Sequence, residues 1–120
     1  MRHYLRFAFA TFLSVFAAGF AASAAQAQPA IKVTHLSGSH WGFGSTDVFV
    51  GTRCRGGATG FLLRIDAKPT REFDCGRKLK ITNGAFGIGE HRARFTPIRT
   101  DDSGRILQRG RPFAKRFTIR

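Results

Sequence analysis

The chain is 120 residues long and carries twenty Lys and Arg against seven Asp and Glu, a net charge of +13. A chain of this length has room for one small core, which excludes a second domain, and its charge favours polyanionic partners while saying nothing about the fold. Two cysteines, Cys54 and Cys75, permit one disulfide; with no Cys-x-x-Cys and no second ligand pair at zinc spacing, they fit neither a redox pair nor a structural zinc site.

Residues 1–27 have the pattern of a cleaved signal peptide helix. Arg2 and Arg6 form a basic start, Phe7 to Ala22 is an apolar run interrupted by Thr11, Ser14 and Gly19, and Ala25-Gln26-Ala27 offers the small-x-small pattern of a peptidase site. The run is shorter than the roughly 20 apolar residues of a membrane span, so no stable span is expected after cleavage at or near Ala27. Residues 28–120 then form the domain. Arg2 and Arg6 leave with the leader, so eighteen basic and seven acidic residues remain, a net +11. The predicted location is periplasmic or secreted, an oxidising setting in which Cys54 and Cys75 pair.

After residue 27 the apolar residues follow a period of two, and no stretch holds a helical stripe, so the domain is predicted to be all-β. Ile31 and Val33 alternate with Lys32 and Thr34 in a first strand that Ser37-Gly38-Ser39 is expected to break. Further strands are predicted over 47–54, 61–67, 72–75, 78–82, 91–98 and 114–119. Between them lie turn residues: Gly56-Gly57, Lys68-Pro69-Thr70, Asn83-Gly84, Asp102-Ser103-Gly104 and Arg111-Pro112. About seven short strands separated by such turns predict an antiparallel β-sandwich. Pro97 removes a ladder donor from the sixth strand, which must be bulged or at an edge there.

From Phe61 onward the order of short motifs carries a resemblance. Phe61-Leu62-Leu63-Arg64-Ile65-Asp66 is followed by Phe73-Asp74-Cys75, Gly89-Glu90-His91, Asp101-Asp102-Ser103-Gly104 and Phe117-Thr118-Ile119. The string resembles the bacterial immunoglobulin-like modules of exported and surface proteins. The resemblance implies an immunoglobulin-like sandwich used as a spacer, adhesion unit or binding appendage, and it brings no catalytic residues and no cofactor. Each motif also has a local reason: Gly89 suits a turn entering a strand, His91 can tie a loop end through its ring, and an Asp ahead of Ser103-Gly104 caps a tight turn.

Three sets of residues invite a chemical reading. Glu90, His91 and Arg92 have the base, acid and cation of a small nuclease, but neighbours on a strand point to opposite faces. His35, His40 and His91 match no metal spacing, and Asp101 with Asp102 offers too few oxygens for calcium. Trp41 and Phe43, in a stretch flanked by His40 and Ser45, form either a plug at the end of the core or an aromatic contact loop.

The basic residues Arg92, Arg94, Arg99, Arg105, Arg109, Arg111, Lys115 and Arg116 crowd the last third of the chain. If the last two strands are neighbours, their outward members form one anion-binding face. The function expected is a non-enzymatic binding or envelope-associated module for anionic envelope polymer or lipid headgroups, with no specific nucleic-acid target. The alternatives are a small secreted nuclease or inhibitor-like effector using Glu90 and His91 with nearby Arg, and a cationic toxin-like protein.

Overall fold

The computed structural model describes residues 28–42, 44–84 and 86–120; the predicted leader, 1–27, lies outside the described residues. The protein is all-β, as the period-two pattern requires. Its strands are β1 (Ala30–His40), β2 (Thr46–Arg55), β3 (Gly60–Ile65), β4 (Arg71–Asp74), β5 (Leu79–Gly84), β6 (Gly89–Thr100), β7 (Ile106–Arg109) and β8 (Phe113–Ile119).

Seven of the eight correspond to the predicted strands. The eighth, β7, was not expected: four residues between two turn signals give too short a run for periodicity to mark. It pairs with the end of β6, and β8 takes over from it nearer the start of β6. Pro97 sits where this change of partner occurs. Its carbonyl accepts from the Gly110 amide at 2.8 Å, so the donor that proline lacks would have faced the break between β7 and β8. The missing hydrogen bond therefore costs the ladder nothing.

The hydrogen-bonded order is β4-β3-β6-β8-β1-β2-β5, with β7 on β6 outside this path. Eight strands thus form one strongly curled mixed sheet, where the sequence predicts about seven in two antiparallel layers. The path is continuous because β1 runs beyond its expected end. Ser37-Gly38-Ser39 has turn composition, yet these residues pair with Phe49, Val48 and Asp47 of β2. Gly38 also makes the parallel bridge to Ile119 of β8. A side chain at Gly38 would collide with that of Ile119, which is why a turn-type residue occupies a strand here.

Curling brings the apolar faces of distant strands together. Val48 and Val50 of β2 and Ile81 of β5 pack with Phe61, Leu63 and Ile65 of β3, Ala93 and Phe95 of β6, and Phe117 and Ile119 of β8. Phe61 lies 5.7 Å from Phe95 and 5.8 Å from Phe73, in tilted ring contacts that add to the area they bury. The end strands β4 and β5 border an open seam. Cys54 of β2 is bonded to Cys75, just beyond β4, with 5.7 Å between Cα atoms. Beside it the Thr52 amide donates to the Gly76 carbonyl at 2.7 Å, so one end of the seam is closed covalently and by hydrogen bonds.

This disulfide closes a loop with a separation of 21 residues, a constraint on the unfolded chain of about 3 kcal/mol. The double variant Cys54→Ala/Cys75→Ala is expected to unfold about 10–20 °C lower than the parent in a thermal melt, and reduction should lower the parent to the same midpoint.

Candidate functional site

The outward face of β3, β6 and β8 carries two directly opposed pairs of arginines. Alternation sends Leu63, Ile65, Ala93, Phe95 and Phe117 inward, and with them it sends Arg64, Arg92, Arg94 and Arg116 outward. Register then decides which of these meet. Arg64 stands directly opposite Arg94 across β3 and β6, and Arg92 stands directly opposite Arg116 across β6 and β8. All four are exposed. Directly opposed residues of neighbouring strands have Cβ atoms about 5 Å apart, and like charges so placed are destabilising.

Of the eight basic residues expected on one face, three are brought together: Arg92, Arg94 and Arg116. Lys115 is opposite Ala93, a core position, and so belongs to the other face of β8. Arg99 hydrogen-bonds Gln108 of β7. Arg105 is in the turn before β7, and Arg111 lies beside Pro97 and Phe113. Arg109 is opposite Ile98, a position that alternation puts on the same face as Arg92 and Arg94 but four positions further along β6 than Arg94. None of these five joins the cluster of Arg92, Arg94 and Arg116. Arg64 does, and sequence reasoning missed it. Its outward direction was legible in Leu63-Arg64-Ile65; the adjacency of β3 and β6 was not.

The rim of this face holds a shallow depression of about 300 Å³ lined by Asp66, Glu90, His91, Arg92 and Arg116. Glu90 lies 3.9 Å from Arg116, with both side chains largely in solvent, a pair of little energetic weight. His91 is turned away from it and packs between Phe86 and Phe117, with ring centroids 5.9 and 5.7 Å distant. Glu90 and His91 thus both border the depression, but the two nitrogens of His91 are taken by Asp66 and Gly87 and its ring packs inward, away from Glu90.

His91 closes the second end of the seam. Its Nδ1 is 2.5 Å from Asp66 Oδ2 and its Nε2 is 2.6 Å from the Gly87 carbonyl. Both partners are acceptors, so both ring nitrogens donate and the bound form is the imidazolium. Burial opposes that charge, but the hydrogen bond to Asp66, the Gly87 carbonyl and the Asp66 charge outweigh it, and the His91 pKa is raised. Burial also works against the Asp66 carboxylate. It is outweighed by the His91 hydrogen bond, the Arg92 amide and the charges of His91 and Lys68, so the Asp66 pKa is lowered. Asp66 Oδ1 accepts from the Arg92 amide at 3.0 Å, while Asp66 itself adopts φ of 53°, a left-handed conformation that Asp and Asn tolerate better than most residues.

The remaining candidates lie elsewhere. Trp41 is 58% exposed, and its indole N–H donates to Asp47 Oδ2 at 2.9 Å, so it does not plug the core; Phe43 is outside the described residues. His35 hydrogen-bonds Ser37 at 2.8 Å. Among the described residues no group of three or more His, Cys, Asp or Glu is placed to hold a metal ion. Asp101 caps its turn by accepting from the Ser103 and Arg105 amides, both at 2.9 Å, and Gly89 takes a positive φ of 123° at the start of β6.

The class that fold and site define is a small, disulfide-bonded, all-β protein with an arginine face. No family model, curated protein or solved structure matches this chain.

The Asp66–His91 contact makes stability depend on pH from both sides. A lowered carboxyl pKa contributes stability that is present above about pH 4 and lost as pH falls; a raised imidazole pKa contributes stability that is full below about pH 6.5 and lost as pH rises. The contribution is greatest between those limits. Denaturant midpoints are expected to fall from pH 6 to pH 9 in the parent and to change less in Asp66→Asn, which keeps the left-handed backbone and an acceptor for the Arg92 amide but removes the charge.

Proposed function

We propose that the protein is an exported, non-enzymatic binding module whose arginine face takes anionic groups of the cell envelope, the phosphates of a polymer or of lipid headgroups. The observation that carries this reading is the pair of directly opposed arginine pairs, Arg64 with Arg94 and Arg92 with Arg116. Two adjacent cross-strand repulsions on one exposed face disfavour the sheet by themselves. An anion seated among the four guanidiniums converts that repulsion into charge-assisted hydrogen bonding, the geometry in which arginine binds phosphate best.

An immunoglobulin-like arrangement is part of the proposal. What supports it is that the one continuous sheet can be divided at the Gly38–Ile119 bridge into β1, β2 and β5 on one side and β4, β3, β6 and β8 on the other, a grouping of the kind found in such sandwiches. The disulfide differs from the antibody pattern, since it runs from β2 to the residue after β4. Export is supported by the leader pattern of residues 1–27 and by a disulfide, which persists in oxidising compartments. A basic protein working there meets envelope anions before it meets nucleic acid.

Binding of the purified protein to vesicles containing phosphatidylglycerol, and separately to soluble polyphosphate, tests the reading. Affinity is expected to fall steeply with salt and to be negligible for neutral phosphatidylcholine vesicles. Arg92→Glu/Arg94→Glu should weaken binding at least ~10-fold, two reversed charges in the centre of the face, whereas Arg105→Glu/Lys115→Glu, with Lys115 on the other face of β8, should leave it within ~3-fold. Equal losses from both double variants would show attraction to net charge alone and would remove the site.

A further inference from the structure

The geometry points to a second binding site, independent of the arginine face, in the seam between the two end strands: an apolar cavity with a cationic mouth that takes a small carboxylate bearing one ring or a short acyl chain. The cavity measures about 160 Å³ and is walled by Leu63 and Ile65 of β3, Phe73 of β4, Ile81 of β5 and Phe86, with Lys68, Pro69 and Arg71 at its rim. It exists because the sheet does not close. The end strands approach each other without joining in the pairing order, and the seam is fastened at one end by Cys54–Cys75 and at the other by His91 with Asp66 and Gly87. Between these fastenings the buried inner side chains Leu63 and Ile65 of β3 line the gap.

Size and charge together select the occupant. An apolar cavity of about 150 Å³ holds one benzene ring and stays dry without it, so this one has room for a ring or a short branched chain and none for a long acyl tail. Its mouth is specifically cationic. The Lys68 ammonium is 5.4 Å from the centroid of Phe86 and the Arg71 guanidinium carbon is 5.1 Å from the centroid of Phe73, so each cation rests on one of the two aromatic walls. Neither is in an ion pair with a described residue.

The acidic side chains nearby are committed elsewhere. Both oxygens of Asp66 are taken by His91 and the Arg92 amide. Glu72 is opposite Leu62, which places it on the outward face of β4, away from the cavity. A ring buried against Leu63, Ile65 and Ile81 thus brings an attached carboxylate to two cations, Lys68 and Arg71, that are in no close ion pair, although Lys68 is near enough for its charge to act on Asp66. A neutral ligand gains only the burial, and an attached ammonium meets repulsion. Alternation of β3 keeps this site apart from the first, because Leu63 and Ile65 face inward while Arg64 faces outward.

Phenylacetate, 2-phenylethanol and phenethylammonium share a ring and differ in charge, and titrating each into the purified protein under methyl- and ring-resolved NMR tests the assignment. Phenylacetate is expected to give saturable shifts at Leu63, Ile65, Ile81, Phe73 and Phe86, binding at least ~3-fold more tightly than the alcohol, with the ammonium weakest. Lys68→Gln and Arg71→Gln, both at exposed positions, should each weaken phenylacetate by ~3-fold or more and leave the alcohol unchanged. Arg92→Glu/Arg94→Glu should alter none of these affinities, which separates this site from the envelope-binding face. The proposal is overturned if no saturable shift appears at the five residues, or if acid and alcohol bind alike.

Discussion

Everything else in this fold depends on fastening a seam. One curled sheet encloses a core whose two bordering strands, β4 and β5, do not pair with each other, and a domain this small has little surplus stability with which to hold them. Two unlike fastenings supply the constraint. Cys54–Cys75 acts mainly on the unfolded chain, whose freedom it reduces. The His91 contacts act on the native state, joining the turn after β3, the Phe86–Ile88 segment and the start of β6 through one ring whose two nitrogens both donate. The first fastening answers to redox potential and the second to pH, so the same seam is held by two terms that respond to different conditions.

The β3-β6-β8 portion shows how one register serves two purposes. Its inner residues, from Phe61 to Ile119, form the core, and the pairings that align them also fix the order of charges outside. Once Ala93 is set against Ile65 and Phe95 against Leu63, Arg94 has to face Arg64. A slip of one residue would turn the core outward, so the arginine pairs cannot separate by sliding. Apart from the exposed Glu90 beside Arg116, what relieves them is salt, substitution or an anion from outside the chain.

Much of this was legible in the sequence, in proportion to how local each cause is. Strands with clean alternation, such as β3, β6 and β8, are readable because burial on one face writes itself into a period of two. Gly89, Asp101 and the ring role of His91 follow from the backbone needs of single turns. What could not be read depends on contacts between distant residues. Ser37-Gly38-Ser39 has turn composition, and only the approach of Ile119 explains why a glycine stands in a strand. Lys115 looks like one more cation in a basic tail until its pairing with Ala93 assigns it to the other face, and Arg64 joins the face only because β3 neighbours β6. The partner of His91 was hidden for the same reason: Asp66 is 25 residues away, and its left-handed conformation leaves no mark in composition.

The two exposed features of the domain differ in what they cost, and the difference bears on why they are present. Cations resting on Phe73 and Phe86 are mildly favourable where they stand, so the mouth of the seam would be stable whether or not it is ever filled. The opposed arginines have little such compensation: Arg116 has Glu90 at 3.9 Å, with both side chains largely in solvent, a pair of little energetic weight. Each directly opposed like-charge pair on an exposed sheet disfavours the fold by roughly a few tenths of a kcal/mol up to about 1 kcal/mol, and almost any neutral residue at Arg64 or Arg116 would relieve it. Stability gives no reason to keep them, and solubility needs only net charge, which the turns and β7 could carry at no such cost. A like-charge arrangement fixed by the register of the core is therefore the feature on which the proposed anion-binding role rests.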